Sequence, residues 1–437
     1  MAGTDGDQAD DGGGTLGFGG VWALAAGGMV GGGIYTALGV VVAVAGQWTW
    51  LAFTISGALA LASAHSYARL ANHFGRAGGA FEFLEELGDD GVAGALAWIL
   101  IIGYVLTMAV YAFAFGHYVA YALHGGPWVM RALAIGAVGA LVALNFRGVG
   151  SVALVETVIV AGNLIVLVGL GVIGLTYWDP AQLVAGIAPR EPWSAFVGAA
   201  AIFMAYEGFQ LITYELDEIR SPKRILMPAL VSAVVFVIGV YVLVALGAVM
   251  IAGALPTIAD AQVALSRAAD VALGTPGLIA LTVAAAFATT AAINSTLFST
   301  AKLAGRVADA GQLPAALGAR NRHGVPARAL AGLGGLAALL AIVGTLSTLV
   351  EAASLAFVVT FGVVNALAAR HTKGRRWVAW LGVALAALIA LVLTARLAVL
   401  TPLALALLAG LIALATVGRA WFLRLAGRRA PGDDDGG

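Results

Sequence analysis

No cysteine occurs among the 437 residues, which excludes disulfides, thiolate metal sites and thiol nucleophiles. Charge is scarce as well, at 11% of residues against about 25% in a soluble domain. Neither sign is in excess, since 23 basic residues balance 23 acidic ones. A nucleic-acid partner is therefore not expected, because binding one needs a concentrated basic face. The histidines (His65, His73, His117, His124, His323 and His371) form no H-x-x-x-H pair, so no metal site is expected. The chain also lacks a G-x-S-x-G elbow and a Walker loop, and an enzyme is not expected. What remains is 61% hydrophobic with 59 glycines and a mean hydropathy of +0.97. A soluble protein of that composition would leave most of its surface apolar. The sequence is that of a polytopic membrane protein, and small residues let its helices approach closely.

A transmembrane helix needs about 20 apolar residues. Stretches of that kind fall near 17–42, 48–70, 93–123, 130–147, 152–176 and 193–214, and again near 228–253, 276–300, 327–346, 348–369, 377–395 and 398–419. About twelve spans result, with the boundary inside 327–369 not readable from hydropathy alone. The acidic, glycine-rich opening MAGTDGDQADDGGG is the reverse of a cationic signal n-region, so a cleavable signal peptide is not expected. It and the terminal PGDDDGG read as solvated tails. With the N-terminus inside, only Arg131, Arg190, Arg267 and Arg396 of the 23 lysines and arginines fall on outer connections or outer helix ends. That asymmetry places both termini in the cytoplasm and the protein in the cytoplasmic membrane.

Two spans carry interruptions. The first holds Gly27-Gly28-Met29-Val30-Gly31-Gly32-Gly33-Ile34-Tyr35, where each glycine costs a regular helix about 1 kcal/mol. Consecutive glycines favour an unwound stretch in mid-membrane over a glycine packing face, although such a face is the alternative. The sixth holds Phe203-Met204-Ala205-Tyr206-Glu207-Gly208-Phe209, a glycine beside an intramembrane carboxyl group, which by default marks a functional site. The two lie at the first helix of one five-helix set and the first of the next. Paired interruptions at corresponding positions point to the binding site of an inverted-repeat transporter. Amide groups around Gly31 to Gly33 would attract a carboxylate, and carbonyls around Met204 to Glu207 would accept from an ammonium group. An α-amino acid fits both.

These residues resemble the amino acid–polyamine–organocation transporter superfamily. Gly27 to Tyr35 looks like its glycine-bracketed first-helix signature, and Ser66-Tyr67-Ala68-Arg69-Leu70 with Gly78-Gly79-Ala80-Phe81 resembles its S-Y-A-x-L and G-G-A-[FY] stretch. Leu144-Asn145-Phe146-Arg147-Gly148-Val149, Ala205 to Phe209, Asp217 to Arg224, Asn294-Ser295-Thr296 and Asp309 to Pro314 match further motifs in order. The resemblance implies an all-α, LeuT-like 5+5 inverted repeat with two added C-terminal helices. Its parts would be a first repeat over 16–176, an outer loop over 177–192, a second repeat over 193–370 and two helices over 371–422, between tails 1–15 and 423–437. It also implies alternating access, with substrate at Met29, Val30, Gly31, Gly32, Gly33 and Ile34 of the first helix and at Phe203, Met204, Ala205, Tyr206, Glu207 and Gly208 of the sixth. Relatives often carry a hydroxyl or methyl residue where Gly32 stands, so a roomier site is expected.

Coupling candidates follow from the same resemblance. Proton-coupled relatives place a lysine on the fifth helix where register puts Asn163, which does not titrate. Sodium in its place would need oxygen ligands, available from carbonyls near Gly27 and Val30 and from Thr289 or Thr290. Glu207 offers a third route, by carrying a proton or by pairing with a cationic substrate group. An amino acid or polyamine exchanger without a coupling ion and a substrate sensor that transports nothing remain open, and no cofactor beyond H+ or Na+ is expected. Glu156 and Glu351 read as interfacial or ion-paired, and Glu215, Asp217 and Glu218 as salt bridges or an inner gate. Tyr104, Tyr111 and Asn365 read as pocket or packing residues. The expected partners are a small amino acid substrate and the lipid bilayer, with a monomer favoured.

Overall fold

In the computed structural model, residues 14–88, 90–147 and 153–402 are described, with scattered positions between 405 and 413. The first span is split into α1 (Phe18–Val30) and α2 (Gly33–Ala45), followed by α3 (Thr49–Phe74), a short inter-helix turn α4 (Ala80–Glu85), α5 (Asp90–Ala122), α6 (Pro127–Asn145) and α7 (Ala153–Thr176). The second set opens with α8 (Ser194–Ile202), which continues through 3-10 turns at Phe203–Tyr206 and Phe209–Glu218. Then come α9 (Pro222–Ala252), the short pair α10 (Ala254–Ala259) and α11 (Ala264–Leu273), the long α12 (Thr275–Asp309), a single turn α13 (Ala315–Gly318), α14 (Ala327–Val343), α15 (Leu346–His371) and α16 (Arg376–Leu400). Eleven of the expected spans are thus present among the described residues. The expected twelfth, 398–419, lies largely outside them, as do both tails and Gly148-Val149.

Burial divides the bundle into centre and rim. The most apolar windows of α5 and of the α8 span are each 83% buried, against 17% for α6, 28% for α7 and 22% for α16. The rim helices therefore present apolar flanks outward, as lipid contact requires, while the central ones carry the tyrosines and broken segments. Small residues set the close crossings. A Cβ on Gly174 of α7 would lie 2.2 Å from Gly247 Cα of α9, so those two backbones touch. Gly344 and Thr345 divide 327–369: the Thr345 side chain caps α15 by accepting from Thr348 N–H, a boundary set by a hydrogen bond and so absent from hydropathy.

One end of the bundle is rich in cations, carrying Arg69, Lys302, Arg306 and the α15–α16 turn. The other carries Arg190, Arg267 and Arg396. At this far end α10 and α11 form a helical cover that hydropathy did not indicate, with Ala261 Cα only 2.3 Å from where a Cβ on Gly39 of α2 would stand. The 177–192 loop is sewn to the same end: Gln47 Nε2 and Trp48 Nε1 donate to Arg190 O at 2.8 and 2.9 Å.

Candidate functional site

Two interruptions meet in the middle of the bundle. In the first span the helix ends at Val30 and restarts at Gly33, with Gly32 at φ −139°, ψ −14°. The break is thus two residues long, narrower than the glycine run. Gly27 and Gly28 stay helical and serve as the packing face that was the alternative reading. A Cβ on Gly27 would sit 2.4 Å from Val160 Cγ2, and one on Gly28 would sit 2.9 Å from the Gly208 backbone. In the sixth span the helix tightens at Phe203, Glu207 is extended (ψ 149°), and Gly208 takes φ +121°, a conformation L side chains rarely adopt.

The structure brings the two breaks into direct contact. A Cβ on Gly33 would lie 2.4 Å from Ala205 O, and one on Gly208 2.4 Å from Gly28 C. Met29, Val30, Ile34 and Phe203 to Glu207 are all buried. Lipid cannot satisfy the backbone groups that such breaks expose, so the protein must. Tyr241 Oη on α9 lies 2.7 Å from Met29 O and 2.8 Å from Ala205 O, joining the carbonyls of both breaks. Asn163 Nδ2 donates to Val30 O at 3.1 Å and its Oδ1 accepts from Tyr35 Oη. Thr36 Oγ1 donates to Gly32 O and Gly33 O, and Met204 N donates to Ser354 Oγ at 3.0 Å.

Glu207 is 1% exposed and accepts from Gln210 Nε2 at 3.0 Å. The same amide nitrogen reaches Tyr104 Oη at 3.2 Å, while Gln210 Oε1 accepts from Gly208 N at 3.0 Å. One glutamine therefore holds the carboxyl group, the strained glycine and the central helix α5. No lysine or arginine is within 4.0 Å of Glu207 among the described residues.

A cavity of about 310 Å³ reaches these breaks from the cation-rich end. Leu16, Glu218 and Lys302 stand at its mouth and Gly27, Gly28, Gly31, Asn163, Gly208 and Ala292 at its depth. Gly32, Gly33 and Phe203 to Glu207 do not line it. The roomier site expected at Gly32 is absent because the Tyr111 ring fills the place, with Cδ1 2.3 Å from a Cβ position on Gly32. Of the sodium candidates, Gly27 and Asn163 line the cavity. Thr289 and Thr290 donate back to Ala285 O and Ala286 O of their own helix, and Ala288 and Ala292 face Gly31 instead. Asn365 lies apart from the breaks, bonded to Ser63 and Ser66 of α3. Glu351 pairs with Arg396 at 3.1 Å, while the Glu156 side chain lies outside what is described.

Two residues central to this geometry, Tyr241 and Gln210, escape a reading of the sequence. A tyrosine in an apolar span looks like packing, and only the crossing of α9 over both breaks shows its hydroxyl to be placed. Gln210, three residues beyond Glu207, did carry a signal, as a second polar side chain in the same buried turn. The mouth of the cavity is clasped by Leu16, which donates to Glu218 O and accepts from Arg220 N, both at 2.8 Å. Two stretches compared above with family motifs also meet: Asn145 Nδ2 donates to Asn294 Oδ1 at 2.7 Å.

Comparison with known proteins places this architecture. The family model described as amino acid permease matches residues 16–419. An uncharacterised protein of Methanocaldococcus jannaschii is 31% identical over 67% of this chain and 68% of its own length. The inner membrane transport protein YbaT of Escherichia coli is 28% identical over 72% and 73%, and the serine/threonine exchanger SteT of Bacillus subtilis 24% over 67% of each. Among solved structures, a manganese transporter of Eremococcus coleocola superposes with a TM-score of 0.62 at 14% identity, covering 94% of each chain. MhsT in complex with L-phenylalanine superposes at 0.53 and 15% identity, covering 90% of this chain and 98% of its own. The broken first and sixth spans, the helical bundle around them and the family match agree: the chain is a multi-pass membrane protein with a LeuT-like fold and belongs to the amino acid permease family of the amino acid–polyamine–organocation superfamily.

Proposed function

We propose that this permease is a secondary transporter of α-amino acids across the cytoplasmic membrane, working by alternating access around the contact between its two helix breaks. The observation that carries the reading is that contact itself. Gly33 lies against the Ala205 backbone and Gly28 against the Gly208 backbone, so amides for a carboxylate and carbonyls for an ammonium group stand within one small molecule's reach. The cation-rich end is assigned to the cytoplasm by the distribution of lysine and arginine. The cavity then faces inward and the α10–α11 cover closes the outward path. Substrate would pass from this cavity to the breaks once α5 and Tyr111 withdraw from Gly32.

Proton coupling through Glu207 is the favoured drive. The carboxyl group is buried, touches Gln210 and has no cationic partner within 4.0 Å among the described residues, so a bound proton or a substrate cation would complete it. Asn163 stands where a coupling lysine stands in relatives and is spent on Val30 O. A sodium site draws less support, because neither threonine offered for it lines the cavity that Gly27 and Asn163 line. Exchange is the second reading, favoured by the similarity to the exchanger SteT.

Counterflow in proteoliposomes tests this, with the twenty common amino acids presented under a proton gradient, a sodium gradient or none. Saturable uptake of at least one amino acid that a proton gradient drives uphill is the expected result. Uptake that needs internal substrate and ignores both gradients would establish exchange instead. No counterflow with any amino acid would remove the proposal.

A further inference from the structure

Between Glu351 and Asp433 the sequence contains no aspartate or glutamate, yet it holds Arg370, Lys373, Arg375 and Arg376 within seven residues. The turn from α15 to α16 leaves Lys373, Arg375 and Arg376 exposed. Gly374, at φ +110°, lets this turn press on α3, where a Cβ would lie 2.9 Å from Arg69 Nη2. Arg69 and Arg375 both lie within electrostatic reach of His65, and Arg376 within reach of Arg69. Arg376 Nε is anchored on Thr372 O at 3.2 Å.

This corner gathers several cations without a counter-charge, whereas four others at the same end are paired. Lys302 has Glu215, Arg306 has Glu82, Arg320 has Asp309 and Arg76 has Glu86. None of Arg69, Lys373, Arg375 or Arg376 has a carboxylate within 4.0 Å among the described residues. Cations held this close repel one another unless an anion lies between them. Directly beside them α16 exposes Trp377 (65%), Trp380, Leu381, Leu388 and Leu391, a single stripe at helical spacing that begins with interfacial tryptophans. Headgroup chemistry and an apolar bed are thus continuous.

We propose that the corner between α3 and the α15–α16 turn binds the phosphate headgroup of an anionic phospholipid, with an acyl chain along the exposed face of α16. The site is independent of the transport site. The test is native mass spectrometry of the full chain, taken from nanodiscs of phosphatidylcholine with or without phosphatidylglycerol, alongside its thermal unfolding in the same discs. Phosphatidylglycerol should be retained and should raise the unfolding midpoint of the wild type and of R322Q, an exposed arginine elsewhere on this end. The triple variant K373Q/R375Q/R376Q should retain it about 100-fold less tightly, with about one factor of five lost per cation. In the wild type, retention should fall as salt is raised, a measurement that holds even if the triple variant does not fold. Equal retention by the triple variant, or retention insensitive to salt, overturns the proposal. An equal rise in midpoint from inorganic phosphate in pure phosphatidylcholine also overturns it, by assigning the corner to free phosphate.

Discussion

Gly208 shows at the scale of one residue how the break is enforced. Its φ of +121° disfavours any side chain, and a Cβ there would stand 2.4 Å from Gly28 C. Gly208→Ala should therefore cost about 1–3 kcal/mol from backbone strain before overpacking adds to it, lowering the unfolding midpoint and abolishing uptake. Tyr241 works by hydrogen bonding. Removing its hydroxyl leaves Met29 O and Ala205 O without that donor, and a buried unsatisfied group costs about 1–3 kcal/mol. Tyr241→Phe should accordingly lose stability while keeping its ring contacts with Phe53 and Tyr206; an unchanged midpoint would show that the hydroxyl does not join the breaks. Glu207→Gln keeps the size of the side chain and removes the titrating group. Uptake by that variant should lose its dependence on the proton gradient and retain exchange, whereas proton-driven accumulation like the wild type's would exclude the carboxyl group as the coupling site.

Among the elements, α15 and α16 are joined by an ion pair. The Glu351–Arg396 pair, with side chains 5% and 23% exposed, bridges them toward the far end. Breaking half of such a pair leaves a charge largely removed from water, which is worse than replacing both partners. Glu351→Met should destabilise the protein by about 2 kcal/mol, the scale of a hydrogen bond to a charged group. The double variant E351M/R396M should recover most of that loss, and a double variant as unstable as the single one would refute this account. The α10–α11 pair belongs to the same scale. Its ten-residue α11 has no span-length apolar run and reads in sequence as a connection, yet Ala261 just before it closes over Gly39 of α2.

For the whole molecule, the absence of cysteine makes sidedness directly measurable. Ser299 lines the cavity at the cation-rich end, and Leu255 of α10 is exposed at the far end. A membrane-impermeant thiol reagent should label S299C only in inverted membrane vesicles and L255C only in intact cells. The opposite pattern would reverse the orientation derived from lysine and arginine. Substrate in the cavity should slow labelling of S299C and leave L255C unaffected, which connects sidedness to the transport reading.

Composition and order along the chain determined the class of protein, the spans and the two positions where helices fail. These depend on local properties: apolar length, the cost of glycine in a helix, and a carboxyl group stranded in an apolar run. Tertiary structure alone decided how those breaks are used. The glycines of the first span divide between a two-residue break and a packing face because Gly28 happens to meet Gly208, and no local rule fixes that meeting. Tyr111 fills the space beside Gly32, Tyr241 ties carbonyls of residues 176 positions apart in the chain (Met29 and Ala205), and Ala288 and Ala292 pack against Gly31. Each depends on the crossing of helices distant in sequence, and crossing angles and rotations about a helix axis leave no trace in a hydropathy profile.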